Sequence, residues 1–321
     1  MIEQFFGKTF YVSLLLLIAT FAISVLAYLF GFGFAVLLVV TIVTMRLTMK
    51  HPSLGLTAAF LELFSNPHGH LIFFDRFAIS VSLRMAVFLG FIIGYVIYLY
   101  QTKNAQQLLS KRLLPFAILF IAICIGVING LLSQPIVDAF KDGNAYLYIL
   151  YAIPICLTSW TAVHKRMFLQ VFAAGAVWNI ILTIGILYLF THFDESVLRN
   201  SYVFLRDVRL AEITDLGNSV HRVFIQSQFF SITFGALLIP LLTQSSSNRD
   251  RWLITCLLGG VLSVVFLSLS RSFWIGIIAT MVVLVALLIQ SKLKRDGWTQ
   301  LVGYGALACV FAIALIVITT L

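Results

Sequence analysis

Long apolar runs separated by short polar linkers dominate the chain, near 9–30, 31–45, 78–100, 114–132, 146–163, 168–190, 224–243, 253–269, 272–290 and 301–321. Most approach the roughly 20 residues that a helix needs to cross the hydrocarbon core of a bilayer. The runs are continuous and do not alternate, so they do not fit the strands of a membrane β-barrel. The pattern predicts an all-α fold, a polytopic transmembrane helical bundle of about ten helices. It forms a single integral membrane domain over 1–321, with its longest linker at 191–223. The chain ends within or just after a final helix at 301–321.

Composition sharpens this reading. Apolar residues make up 61% of the 321 and charged residues only 10%, whereas a soluble domain carries about 25% charged residues. A soluble enzyme, a nucleic-acid-binding domain and a disordered chain are excluded. The run after Lys8 continues far beyond the short apolar core of a cleavable signal peptide and shows no small-residue cleavage site. The first helix is therefore expected to stay in the protein. Cys124, Cys156, Cys256 and Cys309 all fall inside apolar runs, without a C-x-x-C pair, and read as packing residues.

The linkers divide into two kinds. Four of them carry Lys103, Lys111 and Arg112; Lys165 and Arg166; Arg249 and Arg251; and Lys292, Lys294 and Arg295, against only Asp250 and Asp296. The alternate linkers do not share this excess. Residues 133–145 hold Asp138, Lys141 and Asp142; 191–223 hold four Arg and five Asp or Glu; 270–272 hold Arg271 alone. Basic short loops stay in the cytoplasm, so the second set, including the loop 191–223, is expected to face outward. Before residue 78 the assignment stays open. Either the N-terminus is outside, or 53–66 hides an extra crossing, or 9–45 does not cross twice; Arg46 and Lys50 favour an inside position for their end. The stretch Asn66-Pro67-His68-Gly69-His70 is turn chemistry, as is Gly217-Asn218 in the outward loop.

Candidate chemistry rests on three arginines. Arg271 is expected at the outer N-terminus of a helix, where the helix dipole is already positive. A guanidinium there calls for an anion, and the free N–H groups beside it suit phosphate or diphosphate; Ser270 or Ser272 would cap the helix. The alternative is an arginine snorkelling to the headgroups. Arg222 follows His221 where the outward loop re-enters the membrane, with Gln226 and Gln228 beyond it, a polar stripe that suits a water-filled cavity or groove as well as an interfacial position. Arg84, with Arg76 beyond it, lies deep enough to face protein, and an acidic residue of 191–223 is its expected partner. His164 reads as solvated, His68 and His70 lack further metal ligands, and His192 and His221 bracket the outward loop, where either suits a base but is more often a loop residue. Asn179 is expected to bond between helices. No acidic residue appears mid-helix within the membrane, which counts against a proton- or sodium-coupled transporter. No metal or cofactor motif is present.

The stretch Ser270-Arg271-Ser272-Phe273-Trp274-Ile275-Gly276 resembles the S-R-(G/S)-x-W-x-G signature of the O-antigen ligase and Wzy-type O-antigen polymerase superfamily. Arg222, about fifty residues upstream, resembles the family's other arginine position. The motif content lies within 190–321; the rest is similar in hydropathy alone. The resemblance implies a GT-C-like membrane glycosyltransferase of the bacterial inner membrane, acting in lipopolysaccharide or other surface polysaccharide biosynthesis without a cofactor. It implies an undecaprenyl-diphosphate-linked glycan as donor, and lipid A-core or a growing glycan as acceptor. Arg271, Arg222 and, more weakly, Arg84 would bind the diphosphate, and an apolar cleft would hold the lipid tail. Family members continue into a further outward loop bearing a catalytic histidine, whereas this sequence ends at Leu321. No position here inherits that role, His192 and His221 included, and a truncated chain would bind the carrier without turning it over. The other reading is a non-catalytic partner or transporter-like protein in polysaccharide export.

Overall fold

The structure, a computed structural model, describes residues 4–76, 79–103, 110–217, 221–245, 247–290 and 295–321, without the side chains of Arg76, Ile79, Lys141, Arg295 and Asp296. In chain order the elements are α1 (Lys8–Phe30), α2 (Gly33–Lys50), α3 (Pro52–Ser65), β1 (Phe73–Arg76), β2 (Ile79–Ser82), α4 (Leu83–Thr102), α5 (Leu114–Ser133), α6 (Ile136–Gly143), α7 (Ala152–Leu157), α8 (Ala162–His192), α9 (Glu195–Asp207), β3 (Glu212–Asp215), β4 (His221–Phe224), α10 (Gln228–Gln244), α11 (Asn248–Ser268), α12 (Arg271–Gln290) and α13 (Arg295–Thr320). Single 3-10 segments occupy Lys111–Leu113 and Asn144–Tyr151. Among the described residues, eight helices are long and apolar enough to cross a membrane.

The helical class is as expected, and the departures from the expected runs have local causes. The run 146–163 is not one helix: Asn144–Tyr151 winds as 3-10, Pro154 sits in the first turn of the short α7, and Thr158 is extended. Thr161 then starts α8, its Oγ1 accepting the His164 backbone N–H at 3.3 Å, a side-chain cap of the usual kind. The run at 78–100 takes in a whole strand before its helix, and the run at 224–243 begins on the last residue of another. Ile79–Ser82 pairs with β1, and Ser82 caps α4 by accepting from the Met85 N–H at 3.4 Å. His221–Phe224 pairs with β3, and α10 starts only at Gln228. The open region before residue 78 contains α3, which at 14 residues is about 21 Å long, short of the roughly 30 Å hydrocarbon core.

The chain forms two compact units, Met1–Val25 with Leu63–His68 and Arg166–Leu321, and Leu26–Glu62 with Gly69–Lys165. In the second of these, α2 and α4 pack closely. Gly90 and Gly94 lie four residues apart, and a Cβ at either would collide with the backbone carbonyl of Thr41 or Met45. This spacing of small residues is what lets apolar helices approach backbone to backbone. Thr41 Oγ1 also donates across to the Ala86 carbonyl at 3.2 Å.

The first unit is built around Ala173, Ala174 and Ala176 of α8, Phe234, Leu238 and Leu242 of α10, and Ile254 and Leu258 of α11, with Phe5, Phe10 and Ala308 closing the cluster. The run Ala173-Ala174-Gly175-Ala176 leaves room for large neighbours, and the Phe64 ring sits where a Cβ of Gly175 would be. Asn179 does bond between helices, its Nδ2 donating to the Ser227 carbonyl at 3.0 Å while Ser227 Oγ donates to Asn179 Oδ1 at 2.9 Å. By contrast α12 buries only Leu288. Its apolar residues face outward or into a cleft described below.

Candidate functional site

The edge of the first unit that carries Arg222 and Arg271 is built from a hairpin and a helix junction. Strands β3 and β4 pair antiparallel, with Thr214 opposite Arg222 and Asp215 opposite His221. Asp215 Oδ1 accepts the Gly217 N–H at 2.8 Å, and Gly217 takes φ +87°, where only glycine is unstrained. Asn218 of that expected turn lies outside the described residues. Alternation along β4 buries Val223 completely and sends Arg222 and Phe224 to the other face.

Helix α11 ends at Ser268 and α12 begins at Arg271, so the junction is two residues long, as the sequence predicts. Leu269 makes this turn at φ +46°, a left-handed conformation that strains a side-chain-bearing residue. Ser270 is the N-cap residue: its carbonyl accepts from Phe273 and Trp274 N–H, at 3.1 and 3.2 Å. Its hydroxyl pairs with Ser272 Oγ at 2.8 Å. The serines thus bond to each other.

Both arginines belong to this junction. Arg222 Nε donates to the Ser268 carbonyl at 2.8 Å, and its guanidinium lies 5.2 Å from the centroid of the Phe224 ring. It therefore caps the negative C-terminal end of α11, where a cation is stabilised. Arg271 is in the opposite situation. It is the first residue of α12 and exposed, at the positive end of a dipole, and its guanidinium bonds to no other described residue. The Phe224 and Phe273 rings lie tilted to each other, 5.6 Å apart between the hairpin and α12.

Below the junction, a cleft of about 500 Å³ runs between α10, α11, α12 and α13, with walls such as Ile239, Leu262, Met281 and Val302. Its uppermost residue on α12 is Ile277, six positions from Arg271 and so about 9 Å along the helix. An apolar slot thus opens roughly two turns from an exposed guanidinium.

Arg84 belongs to the other unit and has a different partner from the one expected. Its Nε donates to Glu62 Oε2 at 2.9 Å, not to an acid of 191–223, and both side chains are largely buried. Burial pushes the Glu62 carboxyl above the ordinary carboxylate range, and the Arg84 charge opposes that shift. Glu62 lies on α3, which is too short to cross a membrane, and sequence reasoning did not single it out. A lone glutamate between Leu61 and Leu63 was the signal for it. The side chain of Arg76 lies outside the described residues.

The remaining candidates take structural positions. His164 faces His51 at 4.9 Å, and His192 stacks on Tyr188 at 4.3 Å. His221 lies against Phe190, with Nδ1 4.0 Å from Asp215 Oδ1. Gln228 is fully buried and donates to Thr183 Oγ1 and the Val223 carbonyl. Gln226 instead lines an open cavity with Arg206 and Arg209, which sequence reasoning did not single out. Among the described residues, no three His, Cys, Asp or Glu come together in a way that would hold a metal ion. No family model, curated protein or solved structure matches the chain.

Proposed function

We propose that the chain is a multi-pass protein of the bacterial inner membrane that binds an undecaprenyl-diphosphate-linked glycan at the outer face. It passes the glycan to lipid A-core or to a growing chain, as a ligase or polymerase. The observation that carries this reading is the exposed Arg271 at the N-terminus of α12, beside Arg222 and above the apolar cleft. A lipid diphosphate has the matching shape, two phosphates at the end of a long hydrocarbon tail. Its phosphates would meet two guanidinium groups and the open N–H groups of α12, and its tail would lie along Ile277 and Met281.

The same groups favour transfer. When an acceptor hydroxyl displaces the diphosphate from the sugar C1, the acceptor C1–O bond forms as the C1–O bond to phosphate breaks, negative charge grows on the departing phosphate, and the hydroxyl proton passes to that leaving diphosphate or to water. Fixed guanidinium groups offset that charge without a metal. Arg222 is held in position by the Ser268 carbonyl through Nε, which leaves its two terminal nitrogens to face a ligand.

The test is binding of undecaprenyl diphosphate to the full chain in lipid nanodiscs. Arg271→Ala is expected to weaken it about tenfold to a hundredfold, the worth of a hydrogen bond to a charged group, and Arg271→Lys to restore part of the loss. Unchanged affinity in Arg271→Ala and Arg222→Ala contradicts the assignment. Binding without glycan transfer in cells that lack their own ligase identifies a non-catalytic partner in polysaccharide export.

A further inference from the structure

The outward loop contains a second cavity, of about 460 Å³, that the diphosphate site does not use. His68, Arg206, Arg209, Glu212, Phe224 and Gln226 line it. Its size falls within the range of small-molecule pockets, about 300–1,000 Å³, and holds more than one sugar ring.

The cavity is built to a fixed shape. Asn66 is completely buried and ties its two walls together, accepting the His68 N–H at 2.7 Å through Oδ1 and donating through Nδ2 to the Val208 carbonyl at 2.6 Å. Helix α9 ends there in a Schellman motif, with Leu210 N–H on the Leu205 carbonyl and Arg209 N–H on the Arg206 carbonyl. The left-handed position of that motif ordinarily belongs to glycine. Here Arg209 occupies it at φ +51°. Keeping a long cationic side chain in a backbone conformation that disfavours it points to a use for that side chain.

The lining decides what kind of ligand fits. Among the described residues, the side chains of Arg209, Glu212 and Gln226 bond to no other residue, so donors and acceptors are both open to the cavity. Arg206 is paired with Asp207, at 3.0 Å, and Glu212 offsets the charge of Arg209 in the same lining. A phosphate is therefore poorly served. A neutral, polyhydroxylated ligand is well served, since each sugar hydroxyl both donates and accepts. The Phe224 ring offers an apolar face to the C–H side of a pyranose.

The geometry points to a saccharide-binding cavity at His68, Arg209, Glu212, Phe224 and Gln226. Phe224 is shared with the arginine edge, since Arg222 lies against the same ring. Given the diphosphate reading, on which this assignment of place rests, the cavity receives sugar units of a glycan whose phosphates sit at Arg222 and Arg271.

Saturation-transfer NMR on the full chain in nanodiscs tests this with chitobiose, maltose and the anionic sialyllactose as probes. Neutral disaccharides are expected to give protein-dependent signals. These should weaken about tenfold in Arg209→Gly combined with Gln226→Ala, through the loss of hydrogen bonds to charged and polar groups. Arg209→Gly suits the left-handed backbone, so the fold is retained, and an unchanged melting temperature or a raised one verifies that. Undecaprenyl diphosphate affinity should be untouched in this variant, while Arg271→Ala should lose the lipid and keep the disaccharide signals. No signal from either neutral disaccharide, a signal from sialyllactose alone, or full signals in the double variant overturns the saccharide assignment. Loss of lipid binding in the wild type overturns the diphosphate reading and leaves the saccharide result to stand by itself.

Discussion

Two arginines with the same side chain do different work because of where each meets a helix. Arg222 lies at the C-terminal end of α11 and is satisfied by a carbonyl; Arg271 lies at the N-terminal end of α12 and is not satisfied by any described group. Arg84 is a third case. Its pairing with the buried Glu62 ties α4 to α3. Removing one member of a buried ion pair strands the other, at a cost of about 3–5 kcal/mol. Arg84→Ala should therefore lower the melting temperature markedly, and Arg84→Ala with Glu62→Ala should recover part of the loss. Additive losses in that double-mutant cycle would rule out a direct coupling. His51 yields a pH prediction. Burial, and then the charge of His164, hold its pKa below the ordinary imidazole value of 6.5. Its contribution to stability is present above that value and lost as pH falls through the lowered one. The melting temperature should fall between pH 7 and pH 5, and the fall should be shallower in His51→Gln; equal slopes contradict this.

At the scale of elements, what the sequence revealed was whatever depends on apolar length and what it hid was whatever depends on partners. The tight α11–α12 junction was visible because Ser270-Arg271-Ser272 interrupts an apolar run with almost no loop. The hairpins were not, because strands of four residues are too short to show a period of their own, and Ile79–Ser82 and Phe224 run almost directly into the apolar stretches of the helices that follow. Only the pairing with β1 and β3 makes them strands. Helix α9 was likewise hidden inside a charged linker, and with it the cavity residue Arg209. The α2–α4 contact gives an element-scale prediction. Gly90→Leu or Gly94→Leu inserts a side chain where the opposing backbone lies, and overpacking of this kind costs about 1–3 kcal/mol or more. Each variant should unfold at lower temperature, whereas Gly126→Leu, which meets nothing within 4 Å, should change little. Equal effects at Gly90 and Gly126 would contradict the packing role.

For the whole molecule, the proposed function depends on which side of the membrane the arginine edge faces. That sidedness was read from ten basic residues in alternate linkers, and everything built on Arg222, Arg271 and the neighbouring cavity requires it. The direct measurement is the accessibility of a single cysteine at the junction. Ser272→Cys, in a chain whose four native cysteines are replaced by serine or alanine, is exposed to a membrane-impermeant maleimide in intact spheroplasts. The account predicts full labelling from outside, and labelling that slows when undecaprenyl diphosphate is added. Labelling only after the membrane is opened would place the arginine pair on the cytoplasmic side and contradict the account.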